Sequence, residues 1–367
     1  MKVTFPHMGT LYIPLKILFE ELGTEVVVPP PITKKTVTLG VRHSPEFACF
    51  PLKVNMGNFI EALENGADTI IMAGGVGPCR FGYYAEVQRE VLLDLGYDFE
   101  IIVLEPPQGN ILDLLADIKR LANHKTWGEI WRVMKIAWQQ IEALDYLHKL
   151  SLRVRPYEER KGDTTQAYEK AVSFIAVSRT AESIKKSLGE GERILRAVKK
   201  KTLLQPPLKI GIVGEIYMVL EPYANLEIEK ILGEMGVEVK RNIYLGHWIK
   251  EHLLPKRFGS GEGEKIKKAA SNYLDHFVGG HGLESVGQTI LYAQNNFDGI
   301  VHILPFTCTP EIVAQSILPE VSKNLKIPLI SFSLDEHSGM AGFITRLEAF
   351  LDLLHQKREQ EKLKGAV

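Results

Sequence analysis

Two stretches of this chain repeat one another, and the repeat limits the fold to a pair of similar lobes. ADTIIMAGGVGPCRFGYYAEV begins at Ala67 and FDGIVHILPFTCTPEIVAQSI begins at Phe297. Each runs from an Asp through a buried apolar segment and a Gly/Pro-bearing turn to a Cys, then into an amphipathic stretch. Asp68 precedes Cys79 by eleven residues and Asp298 precedes Cys308 by ten. Each half therefore presents one thiol just past the end of an expected strand.

The flanking sequence repeats as well. MKVTFPHMG at the start and LKIGIVGEIY from Leu208 both read as buried first strands running into a loop. LFEELGTEVVVPP and ILGEMGVEVKRN both read as a helix end, a Gly stop and a second strand. Continuous apolar runs at Thr69 to Met72, Ile101 to Leu104, Ile210 to Val213, Ile300 to Leu304 and Leu329 to Phe332 suit strands covered on both faces. Helical patterns alternate with them, which makes the expected class α/β: two Rossmann-like parallel-sheet lobes related by duplication, with a helical insertion between them.

A chain of 367 residues is too long for one core and suits two lobes plus that insertion. The expected division is an N-terminal lobe over 1–110, a helical connector over 111–204, a C-terminal lobe over 205–356 and a polar tail over 357–367. In the connector, TWGEIWRVMKIAWQQ opens with Thr126 as N-cap and Glu129 three residues on, a capping box. Gly189 and Gly191 read as a helix break, and Lys199, Lys200 and Lys201 as the solvated end of the last helix. Trp127, Trp131 and Trp138 fall near one helical face and read as packing. The final helix turns polar and is expected to fray.

Charge excludes one class of partner. Lys and Arg total 44 against 45 Asp and Glu, so the basic footprint of a nucleic-acid binder is missing. Apolar runs are strand-length, short of a bilayer span. The first residues show no charged leader followed by an apolar segment, and the expected location is cytoplasmic.

Cys49, Cys79 and Cys308 are the entire thiol supply, without the close C-x-x-C spacing of zinc ribbons. Buried, inert cysteines are the plain reading. Against it stands their setting: FACFPLKVNMG, GGVGPCRFG and PFTCTPEI each place a Cys in a Pro- or Gly-bearing loop beside an expected helix start. Backbone N–H groups there stabilise anionic sulfur. In open α/β sheets ligands gather beyond the carboxyl ends of the strands, so two facing lobes would enclose a cleft with Cys49 and Cys79 on one wall and Cys308 on the other. Three thiolates suit an iron-sulfur cubane with one open iron. Zinc with three Cys and His281, His302 or His337 is the competing metal.

Other residues have candidate roles. Lys53 and Arg80 could offset cluster charge or hold an anionic substrate, or make surface ion pairs. Gly75 and Gly77 form a tight turn that would let backbone approach a cluster. GGHGLESVGQ sits roughly where the repeat places the Cys49 loop, so His281 and Glu284 are candidate proton donors, with Glu46 a third acid–base candidate. Asp335, Glu336 and His337 follow a strand and either reach the cleft or cap the helix near Met340. GGVGPCRFG lacks the Lys-Ser or Lys-Thr ending of a P-loop, and no G-x-G-x-x-G follows the first strand.

SPEFACFPLKVNMGNF, GGVGPCRFGYY, LPFTCTP and SFSLDEHSGMAGFITRLEAFLD together carry a family resemblance. The chain resembles the 2-hydroxyacyl-CoA dehydratase D-component family, and more closely the CoA-substrate-specific activase-related proteins. The resemblance implies an iron-sulfur cluster held by Cys49, Cys79 and Cys308. In the dehydratases such a cluster passes one electron to a bound thioester so that a β-hydroxyl can leave, and an ATP-hydrolysing activator supplies the electron. In the related double-cubane cluster proteins, two three-Cys cubanes share a bridging sulfide as an 8Fe-9S cluster. With one three-Cys set here, that arrangement would need a homodimer, and the dehydratases themselves pair two related subunits. The implied activity is that of an activator-dependent reductase or dehydratase-like lyase component acting on a small molecule or acyl-CoA. The alternative is a non-catalytic two-lobed binding or scaffold protein, holding structural zinc or no metal.

Overall fold

The structure is a computed structural model that describes residues 1–75, 77–104, 111–122, 124–252 and 261–365. The chain divides into two compact units, Met1–Tyr146 with Val172–Gly189, and Leu147–Ala171 with Glu190–Val367. The helical segment between the sheets is therefore shared between the units.

The first unit is built from β1 (Lys2–Thr4), α1 (Tyr12–Leu22), β2 (Glu25–Val26), α2 (Lys34–His43), α3 (Phe50–Glu64), β3 (Thr69–Ala73), a 3-10 turn at Arg80–Tyr83, α4 (Tyr84–Asp94) and β4 (Glu100–Leu104). Its four strands are all parallel, in the order β2-β1-β3-β4. Successive residues of a strand feed opposite faces. Ile70 and Met72 pack with α3 and α4, whereas Ile71 packs with Phe19, Leu22, Leu121 and Ile130 on the other side. Both faces being covered explains why these strands read as unbroken apolar runs. Helix α3 is buried from Phe50 to Leu63, polar residues included. It meets α2 through two glycines, and a Cβ on Gly57 would lie 1.9 Å from the Thr36 carbonyl oxygen.

The helical segment consists of α5 (Ile111–Leu121), α6 (Trp127–Val154), α7 (Asp163–Ala176) and α8 (Ala181–Arg196). The capping box at α6 forms as expected: Thr126 N–H donates to Glu129 Oε2 at 2.8 Å, and Glu129 N–H donates to Thr126 Oγ1 at 3.3 Å. Three expectations fail here. Helix α8 runs straight through Gly189 and Gly191, because the missing Cβ of Gly191 admits Ala171 and Leu147. The lysines lie beyond α8, where Lys201 N–H donates to the Tyr157 carbonyl and Lys200 bridges Glu158 as a short antiparallel pair. Trp127 and Trp131 are exposed, at 50% and 68%, so the tryptophan stripe is not a packed one.

The second unit repeats the first. It contains β5 (Lys209–Gly214), α9 (Ile216–Leu220), α10 (Ile228–Glu234), β6 (Glu238–Arg241), α11 (Leu245–His252), α12 (Glu262–Ala270), α13 (Gly282–Gln294), β7 (Gly299–Pro305), α14 (Thr309–Leu325), β8 (Leu329–Leu334) and α15 (Met340–Gly365). Its strands are again parallel and ordered β6-β5-β7-β8. The duplicated aspartates do the same work in both units. Asp68 accepts from the Lys2 amide and Asp298 from the Lys209 amide, each at 2.7 Å, pinning the first strand of each sheet to the third. The polar last helix is also anchored. Arg358 donates to both oxygens of Asp298, at 3.1 and 2.6 Å, and to the Pro206 and Pro207 carbonyls.

Candidate functional site

All three cysteines occupy one structural position. Cys49, Cys79 and Cys308 are the N-cap residues of α3, of the 3-10 turn Arg80–Tyr83 and of α14, with extended backbone at each and no side-chain cap hydrogen bond. Pro follows at the second helical position after Cys49 and Cys308, where its missing N–H is not needed. The amide groups of a helix's first turn favour negative charge on a sulfur held there. Cys79 follows β3 and Cys308 follows β7, each on a strand adjoining the point where its sheet reverses direction, the usual ligand crevice of such sheets.

In the first unit the two cysteine loops are joined. The Arg80 guanidinium, next to Cys79, donates to the carbonyl of Phe47 at 3.0 Å, two residues before Cys49. The Tyr84 hydroxyl is hydrogen-bonded to Cys49 Sγ, and its ring meets Phe81 edge-on at 5.2 Å. Cys49 is buried and Cys79 half-buried. Gly77 takes a left-handed φ of 106°, and a Cβ on Gly75 would lie 2.7 Å from the Phe81 ring, so both glycines are required by this turn. Lys53 is buried one turn into α3 at 5% exposure, whereas Glu46 is exposed. Sequence reasoning missed Tyr84, for which only its place in the helix after the Cys79 turn gave a signal.

In the second unit Cys308 is buried behind Thr307, a β-branched residue held at φ 66°. A residue of that shape in the left-handed region costs about 1–3 kcal/mol, strain of the kind that concentrates at functional sites. His281 is the N-cap of α13, as Cys49 is of α3, and its Nε2 accepts from Trp248 Nε1–H at 3.2 Å. Helices α13 and α14 touch at their heads, where a Cβ on Gly282 would lie 2.3 Å from the Pro310 carbonyl oxygen. The repeat thus places His281 beside the Cys308 helix.

Behind these heads lies a group that the sequence did not reveal. Glu311 is fully buried and accepts from His302 Nε2–H at 2.8 Å and Ser285 Oγ–H at 2.9 Å, while His302 Nδ1 meets Ser331 Oγ at 3.1 Å. Both nitrogens of His302 are hydrogen-bonded. Burial pushes the Glu284 carboxyl up to about 7, with the charge of Glu311 adding to the rise and its own amide and Lys267 opposing it. Burial likewise pushes Glu215 up to about 7, against the amides of Tyr217 and Met218, and Glu311 adds there too. Asp335 accepts from the His337 amide and the Ser338 hydroxyl, so this segment forms the turn ahead of α15.

Among the described residues, no three His, Cys, Asp or Glu side chains form a group that could hold a metal ion. No described helix is long and apolar enough to cross a membrane. Residues 7–73 match the family described as CoA enzyme activase uncharacterised domain (DUF2229), a stretch running from the loop after β1 through β3 and including Cys49. No curated protein matches the chain.

Proposed function

Residues 7–73 match the CoA enzyme activase uncharacterised domain family, and from that match we propose that the chain is an iron-sulfur redox protein of the 2-hydroxyacyl-CoA dehydratase-like superfamily. Cys49, Cys79 and Cys308 would hold the cluster, as a cubane with one open iron or as half of an 8Fe-9S unit shared by a homodimer. An ATP-dependent activator would be the electron source, and a small molecule or acyl-CoA the substrate. The observation that carries this reading is that every cysteine of the chain caps a helix or helical turn in the same way. Inert core cysteines have no reason to share that position.

The residues fit such a group chemically. Deprotonated, three cysteines at helix starts would supply the ligand set of a site-differentiated cubane. Bound there, the cluster would supply low-potential electrons to a substrate at its open iron. The chain's own groups have separate tasks. Arg80 ties the Cys79 turn to the Cys49 loop and sets positive charge beside both. Tyr84, in hydrogen-bond contact with Cys49 Sγ, would fix the direction of that sulfur. Lys53 brings a second cation to the same edge, which lowers the cost of gathering anionic sulfur.

Purification under strict anoxia tests the reading. The protein should be brown, with a broad visible absorption that bleaches on reduction by a low-potential donor. Colourless protein, expressed with intact cluster assembly, would replace this reading with that of a two-lobed binding or scaffold protein.

A further inference from the structure

The duplication gives the two buried helices different heads: Cys49 begins α3, and His281 begins α13. Around the second head the lobe gathers carboxyl groups. Glu284 lies in the first turn of α13, Glu311 in the first turn of α14, and Glu215 at the N-cap of α9 just past β5. Glu311 spends one oxygen, Oε2, on His302 and Ser285. Its other oxygen, Oε1, and Oε2 of Glu284 are both buried without a hydrogen-bond partner. The His302 and Ser285 donors are both committed to Glu311, so an ionised Glu284 beside it has only its own amide and Lys267 to offset the penalty of burial. A neighbour that keeps its proton avoids that penalty.

We propose that Glu284 is a proton donor at the carboxyl edge of the second lobe, beside His281 and Cys308, and that Glu311 is the positioning residue that keeps it loaded. The substrate role rests on the cluster reading above. In that step the O–H bond of Glu284 breaks and a new O–H bond forms on the substrate's hydroxyl oxygen as its C–O bond breaks with the electron pair going to oxygen, so that water leaves. Glu284 is left as a carboxylate and takes its next proton from water, which its half-buried position allows. The charged groups bearing on it are Glu311 from α14 and Lys267 from α12; Glu311 in turn holds His302 from β7 and acts on Glu215 after β5, and His281 heads the same helix as Glu284.

Infrared titration of carboxylic-acid absorption in the full-length protein tests the proposal without substrate or activator. The difference between wild type and Glu284→Gln isolates this group, and its midpoint should fall near 7. Glu311→Gln should lower that midpoint while leaving the absorption present. Should Glu311→Gln not fold, as circular dichroism would show, Lys267→Gln replaces it and should raise the midpoint. A midpoint in the ordinary carboxylate range, or one unmoved by the neighbour's substitution, overturns the proposal. The two readings fail separately. Colourless protein with the Glu284 titration intact sinks the cluster, and brown protein with an ordinary Glu284 sinks the donor.

Discussion

Glu215 shows how one half-buried carboxyl can make stability depend on pH. Its Oε2 accepts from the Met218 amide at 3.0 Å while burial holds its proton up to about pH 7. The folded protein therefore binds this proton more tightly than the unfolded chain, whose carboxyl titrates near 4.5. The associated stability is fully present below about pH 4.5 and declines as pH rises through the interval to 7. The loss is at most about 3 kcal/mol, reduced by whatever solvent reaches the group. Glu215→Gln keeps the cap through its amide oxygen and abolishes the titration. Denaturant unfolding should find the variant close to wild type at pH 5 and more stable at pH 8. Equal stabilities at both pH values would show that Glu215 titrates as an exposed carboxylate. The Glu229 carboxyl illustrates the opposite case. Burial alone would raise it, yet the charges of Arg241, His148 and Arg155 bring it down to about 2. The difference between these two glutamates of one lobe lies in their neighbours, and neighbours distant in sequence cannot be read from the chain.

At the scale of elements, the sequence was legible wherever local chemistry decided the outcome. The Thr126 cap, the left-handed Gly23 and Gly236 helix stops and the apolar strands all follow from short-range rules. It misled where packing decided. Gly189 and Gly191 look like a break, but they lie within one continuous helix and have opposite surroundings. Gly189 is exposed with nothing within 4 Å of an added Cβ, whereas Gly191 would place a Cβ 2.9 Å from Ala171 Cβ and 3.1 Å from a Leu147 methyl. Gly189→Ala should thus stabilise the protein by up to about 1 kcal/mol through helix propensity. Gly191→Ala should destabilise it by about 1–3 kcal/mol through overpacking. Thermal unfolding of the two variants checks this, and a stabilising Gly191→Ala would refute the close approach of these helices. The cysteine positions were legible for the same local reason, since Cys-x-Pro marks a helix start at both Cys49 and Cys308. The Glu311–His302–Ser285 group was not, because its members come from α14, β7 and α13.

Across the whole molecule the duplication is the organising fact. Both sheets share one strand order, both first strands are pinned by an aspartate, and both third strands lead into a cysteine that caps the next helical turn. At the head of the buried helix the two lobes differ, one having Cys49 and the other His281. That asymmetry leaves the chain with three cysteines and one histidine at four N-cap positions. The account stands or falls on whether the three thiolates serve one inorganic core. Iron and acid-labile sulfide should be counted in anaerobically prepared wild type and in Cys49→Ser, Cys79→Ser and Cys308→Ser, with folding verified for each. About four irons and a matching amount of sulfide per wild-type chain, falling sharply in every single variant, is the predicted result. Iron-free wild type, or iron that survives loss of any one of these cysteines, would contradict it.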